Sequence, residues 1–103
     1  MHVILWWFDV PESSCDEFER VYGEHVDWAV LFSKAAGFLG TCLMREVGHD
    51  GRYMTIDRWV SQGAFDTFRS AASAAYEALD QRCLRLTTRE SRLGSFVTEV
   101  STK

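Results

Sequence analysis

The chain predicts an α+β fold of the ferredoxin-like type, with elements in the order β-α-β-β-α-β and a four-stranded antiparallel sheet carrying both helices on one face. Two observations carry this reading. The stretch Tyr53–Phe68 (YMTIDRWVSQGAFDTF) runs from an alternating strand through a tryptophan into a serine-capped helix, and the segment before it is a second strand joined by an Asp-Gly turn.

The first strand is read over Val3–Val10 (VILWWFDV), rich in β-branched and aromatic residues and closed by Pro11. Ser13 or Ser14 then caps a helix whose apolar positions Phe18, Val21, Tyr22, Val26, Ala29 and Phe32 recur at spacings of three and four. Gly37 ends that helix. The second strand is read over Phe38–Val47, GHDG at Gly48–Gly51 forms the turn, and the third strand runs from Arg52 to Trp59. In it Tyr53, Thr55, Asp57 and Trp59 share one face and Met54, Ile56 and Arg58 the other, because strand side chains alternate. Ser61 sits at the N-cap of a second helix that carries Phe65, Phe68, Ala72, Tyr76, Leu79 and Cys83 on one side and continues, with or without a break, to Leu86. Thr87–Gly94 is read as a turn and Ser95–Val100 as the last strand.

Composition narrows the function classes. At 103 residues the chain reads as one domain over 1–103, and with four Trp, seven Phe and three Tyr it has a globular composition. Eleven basic residues against fifteen acidic ones give a net charge of −4 with the basic residues scattered, which disfavours nucleic acid as a partner. The apolar runs fall short of a membrane crossing and the start lacks a signal-peptide pattern, so the expected location is cytoplasmic, with no membrane partner. Cys15, Cys42 and Cys83 are widely spaced and form no CxxC motif, which fits a reducing compartment. His2, His25 and His49 have no metal-ligand spacing to one another or to a cysteine, and neither a GxSxG elbow nor a glycine-rich phosphate loop occurs. No metal and no nucleotide cofactor is expected.

Strand one is apolar on both parities, with Val3, Leu5 and Trp7 on one and Ile4, Trp6 and Phe8 on the other. Two helices cover only one sheet face. A homodimer that packs the two open faces together as a dimeric α+β barrel is the expected remedy.

Strand one, YMTIDRW, SQGAFDTF, YEALD at Tyr76–Asp80 and LGSF at Leu93–Phe96 together resemble the antibiotic-biosynthesis monooxygenase superfamily of dimeric α+β barrels. The resemblance implies one of three roles: a cofactor-free oxygenase of aromatic polyketide or quinol-like molecules, a haem degrader, or a small barrel without defined chemistry. Haem degraders of the superfamily use an Asn on strand one, a Trp at the end of strand three and a His on the second helix. Only the Trp has a counterpart here, Trp59. Cofactor-free oxygenation requires a cavity that binds a flat phenol, deprotonates it and excludes water. Trp59, Phe65, Phe68 and Tyr76 are the candidates to line it, Tyr53 and Asp57 reach it from the Trp59 face of strand three, and His25 reaches it from the first helix. His25 and Asp57 are the candidate catalytic groups, and Arg45 or Arg58 would steady a developing anion.

Each position also has a structural reading. The aromatic residues fall at core spacing, His25 lies at the edge of the apolar stripe, and Asp57 among apolar neighbours has Arg45 as a possible ion-pair partner on the adjacent strand. The alternative to an enzyme is therefore a non-enzymatic dimeric barrel that binds a small hydrophobic ligand or serves as an accessory subunit.

Overall fold

A computed structural model describes residues 1–23 and 27–98. Strand β1 (His2–Asp9) leads through a 3-10 turn at Glu12–Ser14 into helix α1 (Cys15–Tyr22) and helix α2 (Asp27–Phe32). Strands β2 (Phe38–Arg45) and β3 (Arg52–Trp59) form the expected hairpin. Helices α3 (Gln62–Ala71) and α4 (Ser73–Cys83) follow, with a second 3-10 turn at Leu84–Leu86, and β4 (Arg89–Val97) closes the sheet. The strand order is β2-β3-β1-β4 and all pairings are antiparallel, which is the ferredoxin-like arrangement. Among the described residues no helix is long and apolar enough to cross a membrane.

Burial follows the strand alternation. Tyr53, Thr55, Asp57 and Trp59 are buried beneath the helices, whereas Met54, Ile56 and Arg58 on the other parity are half-buried. The register carries this face across the sheet: Asp57 lies opposite Ile4 on one side and Thr41 on the other. Phe18 and Trp59, both 0 % exposed, anchor the core, and Leu86 and Cys83 close it from the C-terminal end of the second helical segment.

Several element boundaries depart from the sequence reading. The first helix is not continuous. Gly23 follows Tyr22 in an extended conformation (φ −66°, ψ 166°), so the chain leaves the helix there before resuming at Asp27. Ser14 makes no side-chain cap; its own amide donates to the Pro11 carbonyl at 2.8 Å, and the 3-10 turn starts the helix instead. The second helix has the break that its sequence allowed, at Ala72 (φ −106°, ψ 22°), which divides it into α3 and α4.

The largest departure is β4, which starts at Arg89, inside the segment read as a turn. Arg89, Glu90, Ser91 and Arg92 pair with Asp9 through Trp6. Their charge disguises a strand, yet charged residues suit an unpaired sheet edge because they discourage a further strand from adding there. An extra residue on β4 near Leu93 shifts the register between Leu5 and Trp6, and Gly94 (φ 148°) takes the backbone through that irregularity.

Ser61 performs the cap expected of it. Its backbone is extended and its hydroxyl accepts from the Ala64 amide at 3.1 Å. Replacing Ser61 by Ala is expected to lower stability by about 1 kcal/mol, while Asp at this position keeps most of it; chemical denaturation of the two variants checks this, and equal losses for Ala and Asp would contradict the capping role.

Candidate functional site

The helix face of the sheet carries two aromatic regions. Around Trp59 the packing is closed: Phe32, Phe38, Phe65 and Phe68 surround its indole with ring centroids 5.2 to 5.6 Å away, mostly edge to face. The Trp59 indole nitrogen is buried without a hydrogen-bond partner among the described residues. Phe65 reaches outward only as far as the His2 ring, at 6.3 Å. These residues make a core layer.

Beside that layer lies a cavity between the sheet centre and the helices α2 and α4. Its walls are Trp6 and Phe8 from β1, Tyr22 from α1, Trp28 and Phe32 from α2 and Tyr76 from α4. Thr41, Thr55 and Asp57 form the sheet side, and Asp80 and Glu90 complete the lining. The rings brace one another: Tyr76 stands edge-on to Trp28 at 5.0 Å, and Phe8 meets Tyr22 at 5.0 Å. Tyr76 also carries the Arg69 guanidinium 3.8 Å from its ring centroid, a cation–π contact that fixes the phenol. A water molecule's centre can occupy about 40 Å³ of the cavity. That holds a few waters. Seating an aromatic ring requires a wall to give, and Trp6 and Tyr76 are the half-buried aromatic members of it.

Asp57 is the centre of the polar lining. It is 8 % exposed, and the Thr41 hydroxyl donates to its Oδ1 at 2.6 Å. Burial raises its pKa from 3.8 to about 6, because the charged carboxylate loses its hydration, and the Thr41 hydrogen bond opposes the rise by stabilising the charge. Glu90 is also held above the ordinary carboxylate range, first by burial and then by the nearby Asp80 charge. Burial likewise raises the Tyr76 and Tyr22 phenols, which therefore stay protonated donors at neutral pH.

The residues singled out from the sequence are thus divided among different places. Asp57 and Tyr76 line the cavity. Trp59, Phe65 and Phe68 pack in the adjoining core, with Phe68 and Tyr76 6.4 Å apart at the boundary between the two regions. Tyr53 lies on the same sheet face toward the other end of β3, its ring tilted against Phe18 at 4.8 Å and its hydroxyl donating to Glu19 Oε2. His25 falls outside the described residues. Arg45 does not pair with Asp57; it lies 3.7 Å from Glu19. Arg58 sits on the opposite sheet face, against Gly40.

Sequence reasoning missed Trp6, Trp28, Thr41, Asp80 and Glu90 as lining. Trp6 shares the parity of Ile4 and Phe8, which was a usable signal; Thr41 needed the β2–β3 register, and Glu90 needed β4 to begin earlier than its composition indicates. Among the described residues no group of three His, Cys, Asp or Glu side chains has the geometry to hold a metal ion.

Comparison with known proteins places this geometry. A point variant of SnoaB, a cofactor-independent oxygenase from Streptomyces nogalater, superposes with a TM-score of 0.75 at 24% identity, covering 97% of this chain and 94% of that one. MhuD, a haem degrader from Mycobacterium tuberculosis crystallised with manganese protoporphyrin IX, gives a TM-score of 0.74 at 25% identity, covering 100% and 99%. Rv0793 from Mycobacterium tuberculosis gives 0.71 at 13% identity, covering 99% and 98%. No curated protein sequence matches the chain. The family model described as antibiotic biosynthesis monooxygenase matches residues 1–78, which includes β1, the β2–β3 hairpin, Trp59 and the cavity residues up to Tyr76, and the chain belongs to that family.

Proposed function

We propose that this protein is a cofactor-independent monooxygenase acting on an aromatic or polyketide-like small molecule. The observation that carries the reading is Asp57: a carboxylate on the floor of an aromatic cavity, held by one hydroxyl and with a pKa of about 6. A general base poised just below neutral pH is mostly ionised under physiological conditions yet basic enough to accept a proton from an activated phenol or methylene. Family membership and the SnoaB likeness add to this reading.

The chemistry balances without a cofactor. Asp57 removes a proton from an activated methylene, the resulting carbanion gives up electrons to dioxygen, and loss of water from the hydroperoxide leaves a carbonyl. The methylene carbon thus exchanges its two hydrogens for one atom of dioxygen, and the other oxygen atom leaves with both hydrogens as water. The residues Trp6, Trp28 and Tyr76 enclose the reacting ring and keep bulk water from the intermediate. Thr41 holds Asp57 in one orientation.

The haem route fits these residues poorly. Strand β1 has no Asn, helices α3 and α4 have no His, and His2, opposite Trp59 in the sheet register, packs near the Phe65 ring. The cavity is also tight, about 40 Å³ before any wall moves. That tightness does favour one other reading, a non-enzymatic barrel that binds a small hydrophobic ligand or serves as an accessory subunit. Catalysis separates the two.

A second copy of the chain is proposed to cover the open sheet face. That face carries Leu5, Trp7, Met54 and Ile56, all half-buried, with Met44 and Phe96 exposed. An apolar sheet face of this kind is expected to seek another surface. Arg52 lies over the Trp7 ring at 5.0 Å and marks the rim. Trp7→Glu is expected to convert a dimer into a monomer in analytical ultracentrifugation; a variant that stays dimeric with unchanged melting would contradict the arrangement.

Asp57→Asn tests the enzyme reading in two ways. With anthrone-like and quinol-like substrates, the wild type should consume dioxygen without added metal or flavin, and the variant should lose about 10²- to 10⁴-fold in rate. Absence of uptake by the wild type, or full activity in the variant, would overturn it. The same substitution also changes stability with pH. Folding favours the protonated carboxyl, so its contribution is complete below pH 3.8 and is lost as pH rises through about 6. The amide keeps an oxygen acceptor for Thr41 and removes the charge, so Asp57→Asn should stabilise the fold at pH 8 by roughly 1–3 kcal/mol and by little at pH 4. Denaturation at both pH values measures this.

A further inference from the structure

The charge inside the cavity is one-sided. Asp57, Asp80 and Glu90 face it, and none of its described lining residues is a lysine or arginine. Asp57 is the most deeply placed and lacks a cationic partner among the described residues: its one hydrogen bond comes from Thr41, and Arg45, the nearest candidate on β2, is engaged with Glu19. A buried carboxylate without a cation is costly, and removing one charge of a natural pair would leave the same deficit. Arg69 stacks on the Tyr76 ring and Arg92 donates a hydrogen bond to Ser95, and neither lines the cavity.

The aromatic walls act in the same direction. Six rings line the cavity, and ring faces carry the negative end of their quadrupole. Carboxylates and ring faces together attract a cation with an apolar body and repel an anion. Chemistry adds a further constraint. Proton transfer from a neutral substrate to ionised Asp57 moves one negative charge onto the substrate and leaves it beside Asp80 and Glu90, whereas a substrate that already carries a positive charge offsets one of the cavity's carboxylates before and after that step.

We propose that the cavity takes an aromatic small molecule bearing a protonated amine, with the ammonium held by Asp80 and Glu90 at the half-buried mouth and the ring enclosed by Trp6, Trp28 and Tyr76 above Asp57. The inference names the substrate class of the oxygenase reading and rests on that reading for turnover, while the binding preference stands apart from it.

The test compares benzylammonium, benzyl alcohol and benzoate, three ligands of one size and different charge, by tryptophan fluorescence and calorimetry at pH 8. The ammonium is expected to bind at least about 10-fold tighter than the alcohol, a difference of about 1.4 kcal/mol, and benzoate not measurably. The double variant Asp80→Asn, Glu90→Gln, with its melting temperature measured alongside, should bring ammonium and alcohol to within about 2-fold. Equal binding of alcohol or benzoate, no binding of any of the three, or a preference that survives in a folded double variant would overturn the proposal. Oxygen uptake with amine-bearing and neutral phenols separates the two claims. Ammonium preference without any uptake leaves this inference standing and overturns the oxygenase; uptake of neutral and anionic phenols with no ammonium preference overturns this inference alone.

Discussion

Asp57 and Thr41 meet across the β2–β3 register with a 2.6 Å hydrogen bond in a part of the molecule otherwise built from rings. Placing a carboxylate there is unfavourable by itself, since each step of burial weakens its hydration. The surrounding structure has to supply that free energy. It does so through the aromatic layer next door, where Trp59 and four phenylalanines bury large apolar surfaces. Strand β3 links the two, because its alternation sends Asp57 and Trp59 to the same side two residues apart. A one-residue slip of that strand would turn Arg58 inward and Asp57 outward.

The closed and open regions share residues, and that sharing shapes how substitutions act. Phe32 lines the cavity and also stands 5.6 Å from the Trp59 ring, edge to face. Phe68 touches Tyr76 from the core side. Trp59 is therefore one layer removed from the cavity, and a change there reaches the site through Phe32 and Phe68. At the other end of β3, Tyr53 and Glu19 tie helix α1 to the sheet, with Arg45 joining Glu19 at the surface. This exposed ion pair contributes little to stability; the buried Tyr53 ring contributes more.

The legible parts of the fold were those decided locally. The β3 alternation, the Asp-Gly turn and the Ser61 cap each depend on residues within a few positions, and each stands as read. At the turn, Gly51 adopts φ +85° and a Cβ there would meet the Val10 carbonyl oxygen, so the local signal matches a real steric demand. The illegible parts were decided at a distance. Strand β4 carries Arg89, Glu90 and Arg92 because it is an edge, and edge composition resembles a loop. The helix end at Gly23 interrupts a stripe that is continuous in periodicity. Of the site, Asp57 and Tyr76 were visible as a polar residue in an apolar strand and an aromatic on a helix stripe. Thr41, Asp80 and Glu90 join them only through register and helix packing.

The central claim is that the Asp57 carboxyl is buried with no cationic partner among the described residues, and its titration tests this most directly. Carbon-13 NMR of the Asp57 side-chain carboxyl, assigned by loss of its signal in Asp57→Asn, follows that one group through pH 3 to 9. The account predicts a midpoint near 6, as burial outweighs the Thr41 hydrogen bond. A midpoint at or below 4 would contradict it, because it would mean that bulk water or a cation reaches the carboxylate and that the floor of the cavity is not the enclosed, one-sided site described.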